Sequence, residues 1–329
     1  MDNKKFYIVG ISANFTGLGA ILISVISHII YAQDRGLIPI IDLKHYKNQY
    51  HKDGKAYKEN AWEYFFEQPS GYKLEDLDSS SDIQISDNIR LCPDTSVIIY
   101  GPMLPVAGVD IDERLLNLKT RYSSLIKFNS KAKKFIEDTY EKVIGKDECV
   151  LGVLCRGTDY TVRRSFGEPK QPKPKQVIRK VREFLNKHSE ITKIYLATED
   201  DCIYKLFKNA FGDMLIDNNQ YRYSYSKDKK PFLCDIKVER ANHNYLLGFE
   251  YLSSLYILSK CKYFVGGRCA GSIVAWIMQD CWQDLYIYKL GYYGKSLKDK
   301  LFSKTIQHKN SEDSVLYSIL GIKLKIRIK

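Results

Sequence analysis

No Cys-x-x-Cys pair and no histidine-rich partner cluster occurs in the chain, although it holds eight cysteines (Cys92, Cys149, Cys155, Cys202, Cys234, Cys261, Cys269 and Cys281). Zinc and thiol-redox centres need closely spaced soft ligands, so the pattern argues against both. Cys155, Cys261 and Cys269 lie in or beside apolar runs, as reduced core thiols do, and a reducing cytoplasm is the expected compartment. Also missing is an apolar run of the roughly 20 residues that cross a bilayer. Gly17 to Ala32 is the most hydrophobic stretch, but it is shorter than that and contains His28. Lys4 and Lys5 precede an apolar run as in a signal peptide, yet Ser12, Asn14, Thr16 and Gly17 break it and no small-residue cleavage site follows. A soluble protein is expected.

What is present is ordinary for a globular enzyme. The 329 residues are 44% hydrophobic and 27% charged, enough for two cores and against wholesale disorder. A formal charge of +12 favours an anionic partner: a nucleotide, nucleic acid, an acidic glycan or an anionic membrane surface. Charge alone does not choose among them.

The most informative stretch is Glu148 to Tyr160. An apolar, β-prone run (Val150, Leu151, Val153, Leu154) ends abruptly in Arg156-Gly157-Thr158-Asp159. A strand buried on both faces reads this way, and in open α/β sheets ligands sit beyond the strands' carboxyl ends. Arg156 is therefore expected to face a cleft, its planar fork of donors suited to phosphate oxygens. The plainer alternative is an Arg-Asp pair that ties down a loop.

The rest of the chain repeats the pattern. Phe6 to Val9 reads as a strand, Gly10 to Gly19 as a small-residue loop, Ile21 to Gln33 as a buried helix and Ile38 to Ile41 as a second strand. Gly17 and Gly19 match half of a dinucleotide fingerprint whose third glycine is absent. His45 to Ser86 is polar and irregular, with an aromatic patch (Tyr57, Trp62, Tyr64, Phe65, Phe66) that is either an acceptor surface or the packing of a peripheral helix. Leu115 to Ile144 reads as helical, and Gly145-Lys146-Asp147 marks a domain boundary. Thr161 to Lys175 reads as a long basic loop (Arg163, Arg164, Lys170, Lys173, Lys175) that could meet an acidic acceptor, donor phosphates or an anionic membrane, or be simply solvated. Two further strands follow. Lys193 to Ala197 ends in Thr198-Glu199-Asp200-Asp201, and Tyr263 to Val265 runs into Gly266 to Ser272, each with a helix behind it. Three strand-end loops carrying an arginine, carboxylates and glycines suit a nucleotide diphosphate: the cation meets phosphate, carboxylates accept from ribose or base, and backbone amides at a helix start donate to phosphate.

In motif order the chain resembles the nodulation-type α1,6-fucosyltransferases and the protein O-fucosyltransferases. Arg156-Gly157-Thr158-Asp159 is similar to that family's Arg-x-Thr-Asp core, Tyr195 to Asp200 to its strand ending in Ala-Thr-Asp-Asp, Lys262 to Gly267 with Ile277-Met278-Gln279 to its third motif, and Asn14 to Ala20 to its N-terminal glycine loop. The departures are Leu154 where many relatives carry a histidine, Ala20 where many carry asparagine, and Gly-Gly-Arg-Cys-Ala-Gly-Ser in the third loop. The resemblance implies an α/β fold of the GT-B kind, two facing Rossmann-like domains with a nucleotide-sugar cleft between them, here residues 1–145 and 146–329. It implies an inverting transfer of fucose from GDP-fucose, with no metal, to a glycan hydroxyl, lipid-linked glycans at the inner membrane face included.

The residues expected to bind donor are Gly17, Gly19, Arg156, Thr198, Glu199, Asp200, Gly267, Arg268 and Ser272. Catalysis falls to Arg156, to Glu168 as first candidate for the base, and to Asp159 as second. Another nucleotide sugar is the alternative donor. A nucleic-acid-binding protein, suggested by the basic and aromatic run Tyr221 to Lys230, and a non-catalytic glycan binder are the rivals of other classes.

Overall fold

The computed structural model describes residues 4–11, 16–86, 113–164, 168–224, 233, 236–279, 281–293, 302–309, 312–319 and 322–327. Two parallel sheets organise it. In the first half, β1 (Lys5–Gly10) leads through α1 (Leu18–Gln33) to β2 (Ile38–Asp42), and β3 (Asp82–Ile85) joins the other edge to give the order β2-β1-β3. Apolar residues cover every side of α1, the pattern of a helix enclosed on all sides, and it is buried nearly throughout. Even its His28 is buried, with Nδ1 2.9 Å from the Tyr7 hydroxyl.

The second half is a full doubly wound sheet. The strands are β4 (Val150–Leu154), β5 (Lys193–Ala197), β6 (Leu215–Ile216), β7 (Tyr263–Gly267) and β8 (Asp284–Tyr288), all parallel in the order β6-β5-β4-β7-β8. Between them run α4 (Thr158–Arg163), α5 (Pro174–Lys187), α6 (Asp201–Phe211), α7 (His243–Lys260) and α8 (Ala270–Met278). Strand periodicity decides the layers. Leu151, Val153, Ile194 and Leu196 point to the cluster holding Val177 and Val181 of α5 and Phe207 of α6, while Val150, Leu154, Tyr195 and Ala197 join the cluster of α7 and α8. Gly152 eases the approach of α7 to β4, because a Cβ would stand 3.0 Å from Leu258 and 3.1 Å from the Cys261 sulfur and those side chains would have to shift by a few tenths of an ångström.

The α/β class with parallel sheets expected from the sequence is thus the one observed. The halves share a single buried cluster that runs from α1 into α7 and α8. Several local expectations need correction. The helical stretch before the boundary is two helices, α2 (Glu113–Leu125) and α3 (Ser130–Val143), because the Asn129 side chain caps α3 by accepting from Ala132 N at 2.8 Å. The long basic loop begins as a helix, α4. For the aromatic patch the packing alternative holds: Trp62, Phe65 and Phe66 are each about 1% exposed, with rings of Trp62 and Phe66 stacked at 4.3 Å, and Tyr57 alone of the five is open to solvent. On the other face of the first sheet, Tyr72, Leu74 and Leu77 in and around the short 3-10 segment Leu74–Asp76 pack against Phe6, Ile8 and Ile40, whereas the 3-10 segment Ala61–Tyr64 joins the shared core. A C-terminal antiparallel sheet that sequence patterning missed, β9 (Phe302–Lys309), β10 (Glu312–Ile319) and β11 (Ile322–Arg327), follows in the order β11-β10-β9.

Candidate functional site

A sheet whose strand order reverses at one point opens a crevice there, beyond the carboxyl ends of the two diverging strands. Here the reversal lies between β4 and β7. A cleft of about 280 Å³ opens at that place, and its walls come from both halves. The second half supplies Leu154, Arg156, Tyr160 and Arg163, the end of β5 from Ala197 to Glu199, and Cys269 with Ala270 at the start of α8. From the first half come Thr16 to Ala20 with Gln49 and Tyr50.

Register explains how the charged wall is built. Leu154 pairs with Ala197 in the parallel ladder, so Arg156 and Glu199, each two residues further on, come side by side. Arg156 Nε lies 3.2 Å from Glu199 Oε1, and the guanidinium carbon is 5.1 Å from the Tyr160 ring centre. The same Glu199 oxygen accepts from Gly157 N at 3.2 Å and from the Thr158 hydroxyl at 3.1 Å. Asp200 continues the clamp. Its Oδ2 accepts from Thr158 N at 3.0 Å, while its Oδ1 caps α6 by accepting from Ile203 N at 3.1 Å. A side chain at Gly157 would collide with Asp200, its Cβ only 2.4 Å from Oδ2. These bonds hold Thr158 at φ +51, a conformation that β-branched residues rarely accept, so the turn after β4 stores strain at the cleft.

The opposite wall offers backbone in place of charge. The first turn of α1 lines the cleft, and the N-terminal end of a helix is a place where anions bind. The Tyr50 hydroxyl accepts from Leu18 N at 2.6 Å, and Gln49 Nε2 donates to Thr16 O at 3.0 Å, fixing the turn. Gly19 allows α1 to approach α7: a Cβ there would stand 2.5 Å from the Tyr251 hydroxyl. Burial pushes the Tyr251 phenol up, so it stays protonated.

The sequence-expected residues divide accordingly. Gly17, Gly19, Arg156, Glu168, Thr198 and Glu199 meet at the cleft, and Arg163 of the basic segment joins them. Glu168 is held by its backbone, its carbonyl accepting from Tyr293 N at 2.9 Å. Asp159 lies in α4 with its side chain outside the described residues, as do residues 12–15 of the glycine loop and residues 225–230 of the basic and aromatic run. Asp200, Gly267, Arg268 and Ser272 are not among the lining residues. Asp200 is spent on the clamp. The space beside Gly267 is filled by Gln171, whose Nε2 donates to Arg268 O at 2.7 Å. The Ser272 hydroxyl donates to Gly267 O at 2.6 Å, and Arg268 is buried beside Tyr292, where desolvation lowers its pKa. Arg156 pairs with Glu199, a consequence of the β4–β5 register, while the Arg-Asp pair that the turn suggested involves a side chain outside the described residues.

The remaining wall includes Gln220, Asn244, Glu250 and Ser254, which no motif marks, and Tyr221 and Tyr223 from the start of the basic and aromatic run, which the sequence offers only as a nucleic-acid signal. Among the described residues no group of three or more His, Cys, Asp or Glu is arranged to hold a metal ion, and no helix is long and apolar enough to cross a membrane.

No protein-family model matches the sequence, and no curated protein does. Among solved structures the chain is similar to NodZ alpha-1,6-fucosyltransferase soaked with GDP-fucose, at 14% identity and a TM-score of 0.46 over 99% of this chain and 100% of that one. It is similar to the fucosyltransferase NodZ from Bradyrhizobium at 15% identity, TM-score 0.46, over 84% of this chain and 94% of that one. The apo form of POFUT1 matches at 11% identity, TM-score 0.43, over 88% of this chain and 99% of that one. At this degree of superposition the likeness stands as a finding about shape, and the functional reading rests on the cleft and its residues.

Proposed function

We propose that the chain is a glycosyltransferase that moves fucose from GDP-fucose to a hydroxyl of a glycan acceptor, inverting the anomeric centre and using no metal. One observation carries the reading: a cleft at the switch point of a doubly wound sheet holds Arg156 at the end of β4 and faces the first turn of α1 across the two halves. Both are suited to a diphosphate. The guanosine and the fucose come from the resemblance of the Arg156, Thr198 and Gly266 motifs to those of the fucosyltransferases.

The chemistry follows from where charge develops. As the bond from the anomeric carbon to the diphosphate breaks, negative charge grows on the leaving oxygen, so Arg156 gains more from the transition state than from the bound donor. The acceptor hydroxyl must lose its proton as its oxygen forms the new bond. Glu168, on the same cleft wall system as Arg156, takes that proton. Glu199 keeps Arg156 in place through Nε and is a positioning residue. A lipid-linked or surface-polysaccharide acceptor at the inner membrane face, in the cytoplasm, agrees with the basic charge.

Thermal melting with GDP, UDP, CDP and ADP, followed by transfer assays with GDP-fucose, tests this directly. A ligand that binds only the native state stabilises it by about 2.7 kcal/mol at a hundredfold excess over Kd. GDP is expected to raise the melting temperature. A response to UDP alone would move the donor to another nucleotide sugar, and none to any nucleotide removes the reading.

A further inference from the structure

On the cleft wall beyond β5, a chain of four side chains ends in a hydroxyl. Glu250 Oε1 accepts from Arg240 Nη1 at 2.6 Å, Arg240 Nε donates to His243 Nδ1 at 3.0 Å, and His243 Nε2 lies 2.9 Å from the Tyr223 hydroxyl. Proton bookkeeping fixes the direction. An arginine Nε always carries hydrogen, so His243 Nδ1 must be the acceptor and the ring proton must sit on Nε2. Nε2 then donates to the Tyr223 oxygen, which leaves the hydroxyl's own proton directed elsewhere. Among the described residues nothing accepts it. Burial, with the Arg240 charge second, holds the His243 pKa down at about 4, so the ring stays neutral as this chain requires.

Tyr223 is held firmly and faces the cleft. Its N donates to Glu199 O at 2.8 Å and its carbonyl accepts from Asp201 N at 3.1 Å, which pins it to the loop after β5. It is about 5% exposed and lines the same cleft as Arg156 and Glu250. In a doubly wound sheet the phosphates sit at the switch point and the nucleoside extends over the neighbouring strand end. Of the two strands that flank the switch-point pair, β5 and β8, only β5 has its end in the cleft wall.

We propose that Tyr223 determines nucleoside specificity, its hydroxyl donating to an acceptor atom of the nucleoside, with Glu250, Arg240 and His243 as the residues that position it. The inference rests on the nucleotide reading of the cleft and goes beyond it by naming which side chain reads the nucleoside. Arg240 and His243 act through Tyr223 and touch no ligand themselves.

Calorimetric binding of GDP and of inorganic pyrophosphate to the full chain separates the possibilities, using Tyr223→Phe, His243→Gln and His243→Leu. Loss of one neutral hydrogen bond and the positioning behind it should weaken GDP about tenfold in Tyr223→Phe and leave pyrophosphate unchanged. A glutamine at 243 can accept from Arg240 and donate to Tyr223, so His243→Gln should keep wild-type GDP affinity while His243→Leu loses it as Tyr223→Phe does. Unchanged GDP affinity in Tyr223→Phe overturns the assignment, and so does an equal loss of pyrophosphate, which would mean general damage to the cleft. If the wild type binds pyrophosphate but no nucleoside diphosphate, the nucleotide reading itself fails and this inference with it.

Discussion

The two halves of the cleft solve the same problem by different means. The C-terminal wall concentrates side-chain charge, with Arg156 and Arg163 set among carboxylates that are themselves hydrogen-bonded, whereas the N-terminal wall offers the backbone of α1 and the neutral side chains of Gln49 and Tyr50. The difference reflects their scaffolds. Five parallel strands bring several loop ends to one edge, so polar groups from distant parts of the chain can brace one another there. Among the described residues, the three-stranded sheet brings the start of α1, with Thr16, Gln49 and Tyr50, to the cleft.

Variants can break that comparison. Arg156→Ala should reduce kcat by about 10³-fold, as loss of a group aimed at developing charge does, with the melting temperature unchanged in the absence of ligand. Turnover near wild type in that variant would mean that the charged wall is structural. Glu168→Gln should cost on the order of 10² in kcat and abolish the acidic limb of the pH–rate profile. A profile of full height and unchanged shape would remove Glu168 from the base role. On the other wall the expected effect is steric: Gly19→Val forces a side chain against the Tyr251 hydroxyl and should destabilise the fold by about 1–3 kcal/mol in a urea titration. Adding Tyr251→Phe should recover part of that loss, and no recovery would place the clash elsewhere.

The smallest effect concerns acid stability. His243, on the charged side, has a folded-state pKa lowered from 6.5 to about 4, first by burial and then by Arg240. Between those values the unfolded chain binds a proton that the native chain refuses, so stability falls as pH drops from about 6.5 to about 4. His51, in the other half, is lowered by burial as well and acts with the same sign. Melting curves across that range should flatten in His243→Gln, and an unchanged slope would assign the acid loss to other groups.

Legibility also differs between the halves. The strand-end turn at Arg156 and the carboxylates after β5 could be read because apolar runs that stop at polar residues are local signals. Tyr223, His243 and Glu250 could not, since nothing in their spacing tells that a residue bridged to β5 and one face of α7 enclose a cleft. The aromatic patch left two readings open for a related reason. Aromatic residues in a polar stretch look the same whether they face solvent or close a core, and here the neighbouring Phe249 and Tyr245 of α7 cover Phe65.

The sequence by itself determined where strands end and which loops carry charge, because these follow from composition over a few consecutive residues. That Glu199 meets Arg156 was decided only by the tertiary structure. Parallel strands have no short connection to fix their register, so the pairing of Leu154 with Ala197, which sets Glu199 beside Arg156, follows from how α5, α6 and α7 pack on the sheet.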